Sequence, residues 1–478
     1  MPNLSDLDVG KEAINGTIAQ FATVGVGFVG TVVFARVLGP TNFGGVMLFL
    51  AIVGMLGNPM DGFAVAVHKE VSESTSVLDE SLGAQLLFNF IWIAAVSVPI
   101  LLASGIFADE TYIKHASLLA IFYLATNSVL ETLYSPLQGL GRIGFSYWVD
   151  TAKRLVGVTL RILGVLAFGA VGMIYGSITV AVLFLPIILW VIGTIPRRPS
   201  ERVFRRHAEY GKFSIPSRFL SSLAKRFDLL LLGTLATTAA VSWYEVAWQL
   251  AIPGFYLVQS LGASLMTKVS AMGRNADGLE AEINGALTYA GILAVPLFFG
   301  SIALGGDVLE LLFGSEYVDA FPFLIGLTGY QVVRSQSEPL ELAAKGLNYP
   351  DVVFSIRVAT VVTNTVLGVA FLFAIGPIGV LFATIVAGVL RFWLLFRHMR
   401  QEVGVDVQLQ SQFAEQVVAG MAVYLSVTLA ERVFDSGSNV ETVLLLLVGA
   451  ITYFGSLALV GSSHREFIRR LYSEYSSS

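Results

Sequence analysis

Runs of about twenty mainly apolar residues recur along almost the whole chain, split only by short groups of glycine, proline and charge. A helix needs a run of that length to cross the hydrocarbon core of a bilayer. The chain is therefore read as an all-α polytopic membrane protein. Fourteen spans are placed near 14–36, 43–67, 82–104, 113–137, 145–168, 171–194, 213–236, 243–271, 285–304, 320–344, 352–374, 377–397, 413–430 and 440–461. Composition agrees: 55% of the 478 residues are hydrophobic, only 13% are charged, and mean hydropathy is +0.74. An ordinary soluble domain carries about 25% charged residues, so a water-facing surface for this chain cannot be assembled.

The distribution of Lys and Arg orients the spans, because cytoplasmic loops are enriched in both. With the N-terminus inside, inner segments hold 17 basic residues and outer segments only Arg36, Lys114 and Arg432. Both termini are expected in the cytoplasm of a cell-membrane protein. The longest loop, 196–212, holds Arg197, Arg198, Arg202, Arg205, Arg206 and Lys212; it reads as an orientation anchor or as a contact for anionic lipid. The first dozen residues contain Asp6, Asp8 and Glu12 against Lys11, which argues against a cleavable signal peptide.

Several chemistries are excluded at this point. The chain has no cysteine and five scattered histidines, so thiolate metal sites, Fe–S clusters and haem ligation are not expected, and no cofactor or metal is assigned. Net charge is −5, against nucleic-acid binding. No phosphate-binding G-x-x-x-x-G-K-[ST] loop occurs, and no loop is large enough for a catalytic domain, so the chain is not expected to be an enzyme. Two G-x-G-x-x-G strings, at Gly25/Gly27/Gly30 and Gly139/Gly141/Gly144, lack the strand-to-helix setting of a dinucleotide site. The first reads as small residues permitting close helix packing, the second as an interhelical turn. Sequons at Asn3 and Asn15 fall on the side read as cytoplasmic, where no glycan is expected.

An internal repeat appears at a spacing of about 206 residues: Ile106-Phe107-Ala108-Asp109-Glu110-Thr111-Tyr112 resembles Leu312-Phe313-Gly314-Ser315-Glu316-Tyr317, and Gln138-Gly139-Leu140-Gly141 resembles Lys345-Gly346-Leu347-Asn348. Six spans separate the copies, so two six-helix lobes insert in parallel. The reading gives an N-lobe over 1–195, a basic linker over 196–212, a C-lobe over 213–400, and two further spans with a tail over 401–478.

Nine Lys/Arg remain within spans: Lys153, Arg154, Arg161, Arg218, Lys225, Arg226, Arg334, Arg357 and Arg391. Each costs about 2.5 to 3.5 kcal/mol at mid-helix, so they are expected to face a wet cavity or each other. On span seven, Arg218, Ser214, Ser221, Lys225, Arg226 and Asp228 share one face, opposite Phe219, Leu220, Leu223 and Phe227. This stripe either lines a cavity or snorkels, with Asp228 neutralising Lys225. Span five repeats the pattern with Asp150, Lys153, Arg154 and Arg161; Asp150 and Arg154 form an i,i+4 pair, whereas Arg161 has no such local partner. On span ten, Arg334 either pairs with Glu338 or meets substrate. Asp61, within Asn58-Pro59-Met60-Asp61-Gly62, and Glu131 are acids without a local base; they either carry protons or sodium or are hydrogen-bonded structural groups.

Ala35-Arg36-Val37-Leu38-Gly39-Pro40-Thr41-Asn42-Phe43-Gly44 resembles the R-x-L-G-P-x-x-F-G signature of oligosaccharide flippases, the polysaccharide-transporter (Wzx-type) branch of the multidrug/oligosaccharidyl-lipid/polysaccharide superfamily. Phe213-Ser214-Ile215-Pro216, Asp228-Leu229-Leu230-Leu231-Leu232-Gly233, Leu312 to Tyr317 and Gln138 to Arg142 fit the same family, over spans one to twelve. The resemblance implies a MATE-like fold with a cationic cavity that passes polyprenyl- or dolichyl-(pyro)phosphate-linked sugars to the outer leaflet. Arg218, Lys225, Arg226, Arg161, Arg154 and Arg334 are then the substrate-binding candidates. Asp61, Glu131 and Asp228 are the candidates for coupling to a proton or a sodium ion. The expected partners are the lipid-linked oligosaccharide and membrane lipids, with the protein a monomer. Glu245, in Val241-Ser242-Trp243-Tyr244-Glu245, departs from the family pattern and its role stays open. A cation-coupled drug antiporter of the same superfamily is the alternative; a proton-translocating respiratory subunit would share the span count but lack the signature.

Overall fold

The computed structural model describes residues 9–73, 77–139, 143–273, 278–408, 411–434 and 439–460, and among them every regular element is helical. The chain forms two compact units, Met1–Ser242 and Trp243–Ser478. Unit 1 contains α1 (Val9–Glu73), α2 (Leu78–Leu102), α3 (Ser104–Thr111), α4 (Ala116–Tyr123), α5 (Val129–Gly139), α6 (Ile143–Phe168), α7 (Ala170–Ile192) and α8 (Glu201–Leu235), and the start of α9 (Thr238–Ala251). Unit 2 continues with α10 (Pro253–Met272), α11 (Leu279–Ala290), α12 (Ala294–Phe313), α13 (Phe321–Gly346), α14 (Pro350–Ile375), α15 (Ile378–His398), α16 (Ser411–Phe434) and α17 (Asn439–Val460). The unit division falls inside α9, so α8, which packs on α1, belongs to the first unit rather than following the basic linker into the second.

Every apolar run of the sequence lies on helix. Among the described residues nine helices are long and apolar enough to cross a membrane, or ten if α9 and α10, bent by 49°, act as one. The runs outside that set lie on α6, α8 and α13, which carry seven of the nine in-span Lys/Arg. The first two runs join in a single 65-residue helix, broken where Gly39 adopts φ 70° and ψ 170°. Glycine tolerates that positive φ at no steric cost, and Pro40 then restarts the helix without needing an N–H partner. The fourth run holds a π turn, Leu124–Ser128, between α4 and α5.

Side chains sort inside out relative to a soluble protein. Leu102, Trp190 and Leu459 are 83%, 81% and 82% exposed, a surface that suits acyl chains and not water. Within unit 1, Phe63, Val67, Leu82, Leu133, Phe184 and Ile188 form the core. Within unit 2, Val269, Ile283, Leu340, Ala344, Leu395 and Met399 do so. The two helices left over from the repeat, α16 and α17, pack through Val423, Val427, Leu445 and Tyr453 on Leu304 of α12. Small residues set the closest crossings, as small-residue packing in a membrane requires. Gly164 of α6 and Gly172 of α7 face each other backbone to backbone, and a side chain at Gly30 would press on Val158 of α6.

Candidate functional site

Pro59 has no N–H to give its helix, so α1 lacks one backbone hydrogen bond here, the one to Met55 O. Neighbouring helices donate to carbonyls around it. Trp92 Nε1 donates to Leu56 O (2.8 Å), Gln85 Nε2 to Met60 O (3.2 Å) and Ser214 Oγ to Gly62 O (2.7 Å). Gln85 also donates to Asn89 Oδ1, and Asn89 Nδ2 to Thr132 Oγ1 at 3.0 Å. This ladder fixes the rotation of α5 and therefore the direction of Glu131, the preceding residue.

Gly62 is a point of close backbone approach between α1 and α8: an added Cβ would stand 2.6 Å from Ile215 Cα. Ile215 lies three residues before Arg218, one turn along α8. The clamp continues outward, where Arg206 meets Glu70 at 2.9 Å and Lys69 lies over the Tyr210 ring. There the buried His207 also stacks on Phe63. Pro216 follows directly and removes one helical hydrogen bond from α8.

These contacts produce a cavity of about 400 Å³ lined by Asp61, Ala64, Val65 and His68 of α1, Glu131 and Tyr134 of α5, and Arg218 of α8. The α1 residues recur at i, i+3, i+4 and i+7, one helical face. Two carboxylates, an imidazole and a guanidinium thus line one small space, and Asp61 lies within Coulombic reach of both Arg218 and Glu131. Substituting Gly62 by valine is expected to destabilise unit 1 by about 1 to 3 kcal/mol through overpacking against Ile215. The measurement is thermal unfolding of the purified protein, and Gly62→Ala should lower stability less than Gly62→Val.

Glu131 is not the solitary acid that helical periodicity made it: Lys153 Nζ lies 2.6 Å from it, 22 residues away on α6, and over the Tyr134 ring. Lys153 also meets Asp150 at 3.1 Å, while Arg154 Nε donates to Asp150 at 2.8 Å, the expected i,i+4 pair. Arg161 finds a local acceptor in Gly157 O, 3.0 Å from its Nε. It lies within Coulombic reach of Tyr123, as does Arg226. Arg218, Lys225 and Arg226 are exposed and Asp228 is buried, all on α8.

Arg334 does not pair with Glu338. Its guanidinium stacks on Phe255 of α10, 3.4 Å from the ring centroid, a cation–π contact that desolvation strengthens. Glu338 is taken by Arg391 of α15 at 2.9 Å. Arg391 also reaches Glu341, whose other oxygen accepts from Lys345 and Arg357, each at 2.7 Å. Periodicity places Glu338, Glu341 and Lys345 on one face of α13, but nothing local announces the bases on α14 and α15. Glu245 is half-buried on α9. Among the described residues no cluster of three or more His, Asp or Glu has metal-binding geometry. The second G-x-G-x-x-G string, the sequon at Asn3 and the basic tail lie outside the described residues at Gly141, Asn3 and Arg465.

Residues 9–266 match the family described as Polysaccharide biosynthesis protein. Two proteins of Haloferax volcanii are similar over most of their length. "Probable low-salt glycan biosynthesis flippase Agl15" is 26% identical over 382 residues, 79% of this chain and 80% of that protein. "Probable flippase AglR" is 27% identical over 463 residues, 94% and 95%. Among solved structures, "Lipid II flippase MurJ, inward closed conformation" superposes with a TM-score of 0.78 at 16% identity, covering 95% of this chain and all of that one. An inward-facing multidrug resistance MATE family transporter gives 0.63 at 17%, covering 80% and 94%. The fold is therefore that of MurJ and the MATE transporters.

Proposed function

The chain belongs to the polysaccharide biosynthesis protein family, and from that premise we propose that it is a flippase. In this reading it moves a polyprenyl- or dolichyl-(pyro)phosphate-linked oligosaccharide from the cytoplasmic to the outer leaflet, for surface polysaccharide or glycoprotein glycan assembly. It makes and breaks no covalent bond and acts as a monomer in the cell membrane. Its relatives' names favour this over drug antiport.

The observation that carries the reading is a charge imbalance within the spans of unit 1. Its spans hold Lys153, Arg154, Arg161, Arg218, Lys225 and Arg226 against Asp61, Glu131, Asp150 and Asp228. Two positive charges remain in excess, the complement of a phosphate headgroup that cannot enter hydrocarbon unpaired. Arg218 and Lys225, at i,i+7 on α8, are assigned to the phosphate, with Arg161, Arg154 and Arg226 around it. Arg334, held on Phe255, serves in unit 2. Asp61 and Glu131 are the groups that would carry a coupling proton or sodium ion, with Asp228 as a third.

Fourteen crossings with both ends inside follow from the 17 to 3 charge bias. Reporter fusions at Ser438 and Ser478 should read outside and inside, and one compartment for both would remove the last crossing. For energy, each negative charge leaving a negative-inside cell gains about 2.3 kcal/mol per 100 mV, so a headgroup with about two such charges gains roughly 4 to 5 kcal/mol if it crosses unneutralised. Transfer is expected to be driven by the potential without ATP. The test is purified protein in liposomes with labelled lipid-linked sugar, collapsing first the potential with valinomycin and potassium, then a pH gradient. Asp61→Asn should keep the response to potential and lose any response to pH; insensitivity of the wild type to both leaves a passive facilitator.

A further inference from the structure

Five charges meet inside unit 2 at the end of the bundle where α13 stops, α14 starts and α15 stops. Glu341 is 3% exposed and its two oxygens serve three bases: Lys345 and Arg357 on Oε1, Arg391 on Oε2. Arg391 is 14% exposed and its second carboxylate is Glu338. Three cations and two carboxylates leave one positive charge over. Such an excess near hydrocarbon is costly, and the cluster itself contains nothing to cancel it.

The excess sits on one side. Arg357 is 45% exposed and Lys345 30%, whereas Glu341 lies behind them. Because both nitrogens stand 2.7 Å from the same oxygen, they are neighbours with outward donors to spare: a guanidinium has five N–H groups and an ammonium three. A phosphate oxygen set has the size and charge for that pair, and guanidinium and phosphate pair by charge-assisted, often bidentate hydrogen bonds. Position selects how the phosphate is carried. Arg357 lies seven residues into α14, about 10 Å along its axis, at the end of the unit that also bears Arg397 and Arg400. Exposed Phe354, one turn before Arg357 on the same helix, offers acyl chains an apolar surface.

We propose that Lys345 and Arg357 bind a lipid-borne phosphate, and that Glu341 is its internal competitor for the same two cations. The site is separate from the unit 1 cavity and does not rest on the transport reading. A phosphate arriving from the bilayer neutralises the surplus charge and shares the donors that Glu341 now holds.

The test is native mass spectrometry of the full chain after incubation with phosphatidylglycerol, a polyprenyl phosphate, or diacylglycerol as a phosphate-free control. Wild type should retain the phosphate-bearing lipids and not diacylglycerol. The Lys345→Gln/Arg357→Gln pair should lower retention about tenfold, while Arg357→Lys keeps most of it. Glu341→Gln should raise retention, a change opposite to what misfolding would cause. Retention of polyprenyl phosphate alone identifies a carrier-lipid site, and equal retention of both identifies a site for bulk anionic lipid. Equal retention of diacylglycerol, no response to the double substitution, or a loss in Glu341→Gln matching that of the double substitution would overturn the proposal.

Discussion

Exchanging Arg218 for glutamate is expected to abolish export of the lipid-linked glycan while the amount of protein in the membrane stays the same. Arg218 lines the unit 1 cavity opposite Asp61 and Glu131. Reversal would put three carboxylates around one space and repel a phosphate. Losing one partner of a desolvated charge pair costs about 2 to 5 kcal/mol, which is a fall of roughly thirty-fold or more in transfer. Because Arg218 is exposed on α8, folding should tolerate the change. Lys225→Glu, on the same exposed face, is expected to fail in the same way. Transfer by liposomes carrying each variant, normalised to reconstituted protein, is the measurement; normal transfer by Arg218→Glu removes the arginine from the site.

Arg391→Met is expected to act on stability instead. It removes the base that ties Glu338 and Glu341 together, leaving Glu338 without its partner. Removing one member of a buried ion pair costs about 3 to 5 kcal/mol because the other charge stays uncompensated. The melting temperature of the purified protein should drop markedly. Arg391→Met/Glu338→Gln, which removes the carboxylate left without a partner, should recover part of it. Equal melting of the single and double variants would show that charge compensation is not what Arg391 supplies.

Local pattern made the spans legible, and distance in sequence hid the partners. Every apolar run became helix because twenty apolar residues have few other stable states in a bilayer. The polar face of span seven was readable for the same reason: 3.6-residue periodicity relates neighbours within one helix. It also predicted the Asp150–Arg154 pair. It carries no information about a residue 22 positions away on another helix, which is why Lys153 was missed as the base for Glu131. Glu341 is the stronger case, since two of its three bases lie on α14 and α15, 16 and 50 residues distant. For Arg334 periodicity offered Glu338 at i,i+4 as a local partner, while Phe255, its contact, stands on α10. The repeat carries no information that α8 packs with α1.

Pro216 removes one helical hydrogen bond from α8 and so marks a place where the helix could bend. Up to Ile215 the helix is held to α1 by Arg206, His207 and Ser214; the bond that Pro216 cannot make is the one back to Lys212 O. A tilt of about 10° at that joint shifts Arg218, two residues on, by about 0.5 Å, but shifts Lys225, nine residues on, by about 2.3 Å, at 1.5 Å of rise per residue. Under the proposed function, such a bend would make the two bases mechanically unequal, with Arg218 close to the pivot and Lys225 far from it. A headgroup passed between them would then leave the first without the rest of the unit having to rearrange.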